Sequence, residues 1–151
     1  MSGVFNIAKG KIGTYVSNVD AGSPANARIV VIPFDATGAT EATILDADTV
    51  AAVEAVTNVT ERTTGGWGRK SLAGADVTAT VNDTDNRFDA DASDQTWTSV
   101  SAGAVTHLLF CYDADSTAGT DSDLIPLTWH DFPITPDGSD VSRMAGINGE
   151  P

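Results

Sequence analysis

Short apolar runs rich in β-branched residues recur along the chain, separated by clusters of Asp, Asn, Gly, Ser and Thr. That spacing restricts the fold more than any other feature. "RIVVIPF" (Arg28–Phe34) is a continuous apolar run, the pattern of a strand covered on both faces. Pro33 lacks an N–H and belongs at that strand's end or at an edge. "VTATV" (Val77–Val81) predicts Val77, Ala79 and Val81 facing inward and Thr78 and Thr80 outward. "QTWTSV" (Gln95–Val100), "VTHLLFCY" (Val105–Tyr112) and "LIPLTWHDFPI" (Leu124–Ile134) complete the set, before a turn at "TPDGSD". The expectation is a mainly β protein, an antiparallel β-sandwich or barrel with one or two short accessory helices.

The helices are fewer and weaker. "FNIAKGKIGTYVSNV" places Phe5, Ala8, Ile12, Tyr15 or Val16, and Val19 at helical spacing, but Gly10 and Gly13 weaken it and Ile12, Thr14, Val16 suits a strand equally well. "LDADTVAAVEAV" reads better, with Asp46 or Asp48 as cap and Val50, Val53 and Val56 along one side. A chain of 151 residues predicts one domain over 1–140, with an arm or short helix over about 4–19. Residues 141–151, "VSRMAGINGEP", hold little that packs and read as a flexible tail that orders against a partner.

Two phrases repeat, "FDADASDQTW" and "YDADSTAGTDSDLIPLTW". As calcium loops of the EF-hand type both fail: from Asp113 the sixth position is Ala118 and the twelfth Leu124, and from Asp83 the fifth is Arg87. A looser calcium site on Asp89, Asp91 and Asp94, or on Asp113, Asp115, Asp121 and Asp123, stays open as a rival. Asp and Ser side chains that bond back to turn amides fit better, so both phrases read as hairpin turns with Trp97 and Trp129 starting the returning strands.

Net charge is −13, and it is uneven: six basic against seven acidic residues through Ala75, then Arg87 and Arg143 against fourteen acids. A chain so short of cations in its second half is a poor partner for nucleic acid. Cys111 is the single cysteine, so an intrachain disulfide is excluded, and in an apolar run it reads as a buried thiol. No signal-peptide stretch and no run of about 18 apolar residues is found, which suggests a soluble protein made in a cytoplasm. His107 and His130 both fall in expected strands; His130 and Asp131, as neighbours on a strand, point to opposite faces. With no assembled nucleophile, base and orienting group, an enzyme is not expected, and neither a cofactor nor a metal is implied. "TTGGWGRK" reads either as a mobile loop or as a docking loop with Trp67 as anchor and Arg69 and Lys70 facing an acidic partner.

"VFNIAKG", "GSPANARIVVIPF", "NDTDNRFDAD", "DQTWT", "LLFCYDADSTAGTDSDLIPLTWHDF" and "TPDGSD" occur in this order from about Val4 to Asp140. Together they resemble a group of small virion proteins encoded near the capsid genes of tailed bacteriophages. Gly10, Gly13 and the tail after Val141 depart from that pattern. The resemblance implies a head decoration (cement) protein, assembled in the host cytoplasm, that binds the major capsid protein on the shell surface. It also implies a homo-oligomer, with a trimer favoured. Because the near-neutral half holds most of the cations, Lys9, Lys11, Trp67, Arg69 and Lys70 are the candidate shell-facing residues, and Phe5 would anchor an N-terminal arm. The rivals are a tail, connector or fibre-base component, and a calcium-dependent carbohydrate-binding module using Trp97 or Trp129 as a sugar platform.

Overall fold

A computed structural model describes residues 2–147, with the backbone alone at 144–146. The architecture is mainly β, and among the described residues all strand pairings are antiparallel and the α-helices are three and short. The larger sheet runs β1 (Gly3–Val4), β8 (Ile125–Ile134), β7 (Val105–Asp113), β2 (Arg28–Asp35), with β3 (Thr60–Glu61) and β4 (Lys70–Leu72) both pairing β2 on its other side. The smaller sheet has the order β5 (Val77–Asn82), β6 (Arg87–Trp97), β9 (Val141–Gly146). These two sheets form the sandwich.

Both faces of the larger sheet are covered, so β2 is apolar without alternation, and consecutive residues of β7 (Leu108–Tyr112) and β8 (Pro126–His130) are buried. Two short helices follow β2, α2 (Glu41–Leu45) and α3 (Val50–Glu54), and α2 lies over the face that carries Trp129. Gly3 stands opposite Trp129, and a Cβ there would come within 2.8 Å of Leu45, so the glycine lets α2 approach. Phe5 continues this edge by donating its N–H to Leu127 O, and its ring meets Trp129 edge-on at 6.5 Å. The opposite face carries Tyr112 and Phe132. Tyr112 stacks on Tyr15 of α1 (Ile12–Asp20) at 4.7 Å, and Phe132 lies 6.3 Å from Trp97 of the smaller sheet.

Several expectations are corrected. Residues 4–19 split into a short strand, a 3-10 turn at Asn6–Ala8 and helix α1, because Gly10 at φ +76° breaks the run. Helix α3 is capped by Thr49, whose side chain accepts from Ala52 N, and not by Asp46 or Asp48. The phrase Phe88–Trp97 is no turn: it lies inside one eleven-residue strand, β6, with a bulge between Ala92 and Gln95. Aspartates alternate with small residues there, so Ala90 and Ala92 go inward while Asp91 stays outside. The second phrase does make a turn after β7, where Asp113 accepts from Asp115 N, and Asp115 from Thr117 N and Oγ1. The tail expected over 141–151 is ordered from Val141 to Gly146 as strand β9 against β6, and Ile147 is buried; 148–151 lie outside the described residues. Val81, expected inward, is 68% exposed, since the β5–β6 hairpin extends past the core.

Candidate interaction surface

Of the six residues expected to face a partner, the fold takes two into its core. Phe5 is fully buried against Trp129, so it fixes the first strand and offers nothing to a second molecule. Trp67 is 4% exposed. Its indole N–H donates to Gly103 O at 2.7 Å, and its ring lies 5.5 Å from Trp97, whose own N–H donates to Gly68 O at 2.7 Å. Gly65, at φ +69°, packs so close to Ala102 that a Cβ would meet its carbonyl at 2.7 Å, and Ser101 N donates to Gly65 O. The "TTGGWGRK" segment is therefore packed onto residues 98–103, with Trp67 in the core and not presented as an anchor.

Arg69 is likewise committed within the molecule. Its guanidinium reaches Glu61 by two bonds, at 2.8 and 2.6 Å, Glu54 at 3.1 Å, and Asp121. The Glu61 carboxylate raises its pKa further above the ordinary arginine value, outweighing partial burial. Partial burial and then the Asp121 charge raise the Glu54 pKa. The cluster ties α3, β3, the start of β4 and the acidic loop after β7 into one unit. Lys70 places its ammonium 5.6 Å from the Trp97 ring centroid, a cation–π contact. Arg62 pairs with Asp35 at 2.6 Å and also donates to Ala104 O.

Lys9 and Lys11 remain. They flank Gly10 on an exposed turn between the 3-10 segment and α1. Lys9 donates to Asn6 Oδ1 at 2.6 Å, and neither lysine has a carboxylate in ion-pair reach among the described residues. Of the four candidate cations, Lys9 and Lys11 are thus the two not held by a carboxylate or a core ring of the chain itself.

The chain matches no family model, no curated protein and no solved structure in comparison with each.

The remaining chemistry is quickly placed. His107 places its Nε2 3.0 Å from Asp131 Oδ1 across β7–β8, and its ring stacks on Trp129 at 4.8 Å. The register of the two strands makes this pair, so spacing along the chain held no trace of it. Burial lowers the His107 pKa despite Asp131. His130 is buried, bonded through Nε2 to Thr128 Oγ1 at 2.8 Å, and its pKa is lowered to about 4 by burial and then by Arg143. Burial pushes the Cys111 thiol up, and its Sγ–H donates to Val30 O. Trp97 and Trp129, each 1% exposed, are core residues and cannot serve as a sugar platform. Among the described residues no group of three His, Cys, Asp or Glu side chains is placed to hold a metal ion.

Proposed function

We propose that the chain is a structural protein of a tailed-phage virion, of the head decoration (cement) type, which binds the major capsid protein on the assembled shell and stabilises it. The observation that carries this reading is the exposed Lys9–Gly10–Lys11 turn on a domain of net charge −13 whose other cations are largely engaged internally. A small acidic domain with an exposed cationic turn that has no carboxylate in ion-pair reach among the described residues is suited to touching an acidic protein surface at that turn while the rest stays solvated. The ordered sequence phrases from Val4 to Asp140 supply the phage context.

Stabilisation follows from linkage. A protein that binds the expanded lattice and not its precursor shifts the equilibrium toward that lattice by mass action. Repeated copies on one shell add multivalency, so each contact can be weak. Replacing both lysines, Lys9→Glu with Lys11→Glu, should lower occupancy on purified particles by about tenfold or more, with the melting temperature of the free protein unchanged. Unaltered occupancy would remove this turn as the contact.

A further inference from the structure

We infer that strand β5 is a self-pairing edge, through which two copies of this chain join their smaller sheets in a two-fold antiparallel contact. β5 lies at the end of the order β5-β6-β9, so one side of it has no strand partner among the described residues. Proteins commonly protect such an edge with Lys, Pro or a bulge. Val77–Asn82 has none of these: it contains no charged residue and no proline, and it pairs with β6 without a break in register.

The direction of the backbone groups can be read from the pairing. Ile147 donates its N–H to Ala90 O, so Ala90 turns its groups toward β9. Ala79 stands opposite Ala90 and therefore turns its own N–H and C=O to the free edge, as do Val77 and Val81 by alternation. The Val77 N–H is already given to Gly74 O. The free edge thus offers donors at Ala79 and Val81 and acceptors at Val77, Ala79 and Val81.

The order of side chains selects the partner. Val77-Thr78-Ala79-Thr80-Val81 reads the same in both directions. In an antiparallel pair centred on Ala79, each Ala79 exchanges two bonds with its counterpart. Each Val81 N–H then meets the Val77 carbonyl of the second copy, while the Val81 carbonyl is left to solvent because the Val77 N–H is held by Gly74 O. Thr78 lies across from Thr80 of the second copy, a favourable cross-strand pair. Val81, 68% exposed in the single chain, would be covered in part by the second copy's strand; Val77 is already buried in its own core. A shift of two residues one way would set Val77 against Asp83, whereas in the centred register the ladder ends at Val77, where the 3-10 turn Gly74–Asp76 begins. Such an interface is isologous, the commonest kind. In a chain of net charge −13, this uncharged strand is where two copies can approach. The contact is two-fold, unlike the trimer that the sequence resemblance favours, and it does not depend on the decoration reading.

The full chain should show a mass twice its 15.6 kDa in light scattering, and Val81→Glu should return it to the single-chain mass, with a melting temperature no lower than that of the native chain diluted until its own dimer separates. An equimolar mixture of Thr78→Cys and Thr80→Cys chains should form disulfide-linked pairs under mild oxidation, at least several-fold more than either variant alone; Cys111 is buried and takes no part. A single-chain or three-chain mass, a dimer indifferent to Val81→Glu, or equal cross-linking in all three samples would each overturn the contact. Loss of particle binding with the dimer intact would strike the decoration reading instead.

Discussion

Arg69 and Glu61 form a two-point pair, Nε to Oε1 at 2.8 Å and Nη2 to Oε2 at 2.6 Å, which closes the lead into β4 onto β3. The same guanidinium holds Glu54 and Asp121, so its removal leaves three carboxylates facing one another. Arg69→Ala should cost about 2 kcal/mol at neutral pH, the scale of lost hydrogen bonds to charged groups. The Glu54 pKa is already raised in the folded protein and would rise further without Arg69. The folded variant then binds more protons than its unfolded form, so its deficit should shrink as pH falls from 7 toward 5. Urea unfolding at the two pH values measures this, and an unchanged deficit would contradict it.

His130 sets a second pH dependence, of opposite sign. Its folded pKa is lowered to about 4 from the ordinary 6.5, so the unfolded chain takes up a proton across that window and the folded chain does not. Stability contributed by the neutral ring is complete above pH 6.5 and is lost as pH falls toward 4, by up to about 3 kcal/mol. His130→Gln can keep the bond to Thr128 and should flatten the decline relative to the native chain. Equal slopes in both proteins would refute the assignment.

Trp67 separates a core role from a docking role. Trp67→Ala should destabilise the free protein by about 3–5 kcal/mol, through lost packing on Trp97 and a stranded Gly103 carbonyl. Denaturant titration followed by the fluorescence of the other two tryptophans measures it. A variant as stable as the native chain would return Trp67 to the surface.

How much of this was legible in the sequence differs by element. The unbroken apolar run of β2 announces a strand covered on both sides, and the structure has it so. In β6 the Asp and Ser side chains speak for a turn, while the true signal is the alternation of Asp89 and Asp91 with Ala90 and Ala92. Alanine suffices as the inward residue there because the space beneath the sheet is filled by α1, where Gly13 sits against Phe88. Strand β9 carries few large apolar side chains, and what orders it is backbone pairing with a strand some fifty residues away, which local pattern does not reveal. Lys9 and Lys11 could be found by charge alone. That Arg69 and Trp67 are engaged internally depends on partners distant in sequence, Asp121 and Gly103.

Strand β9 is open to a direct test. A chain ending at Asp140 should lose the partner of β6 and uncover Trp97, giving a protein that aggregates or melts far below the full chain. Thermal denaturation by circular dichroism measures the difference. Equal melting temperatures would restore the picture of a dispensable tail.

Reconstruction of the intact virus particle tests the central claim most directly. The account predicts this domain on the outer face of the head, in copies on the order of hundreds as lattice symmetry requires, with the Lys9–Lys11 turn toward the capsid subunits. Particles that lack the chain, or that hold it only in a few copies along the tail, would contradict it.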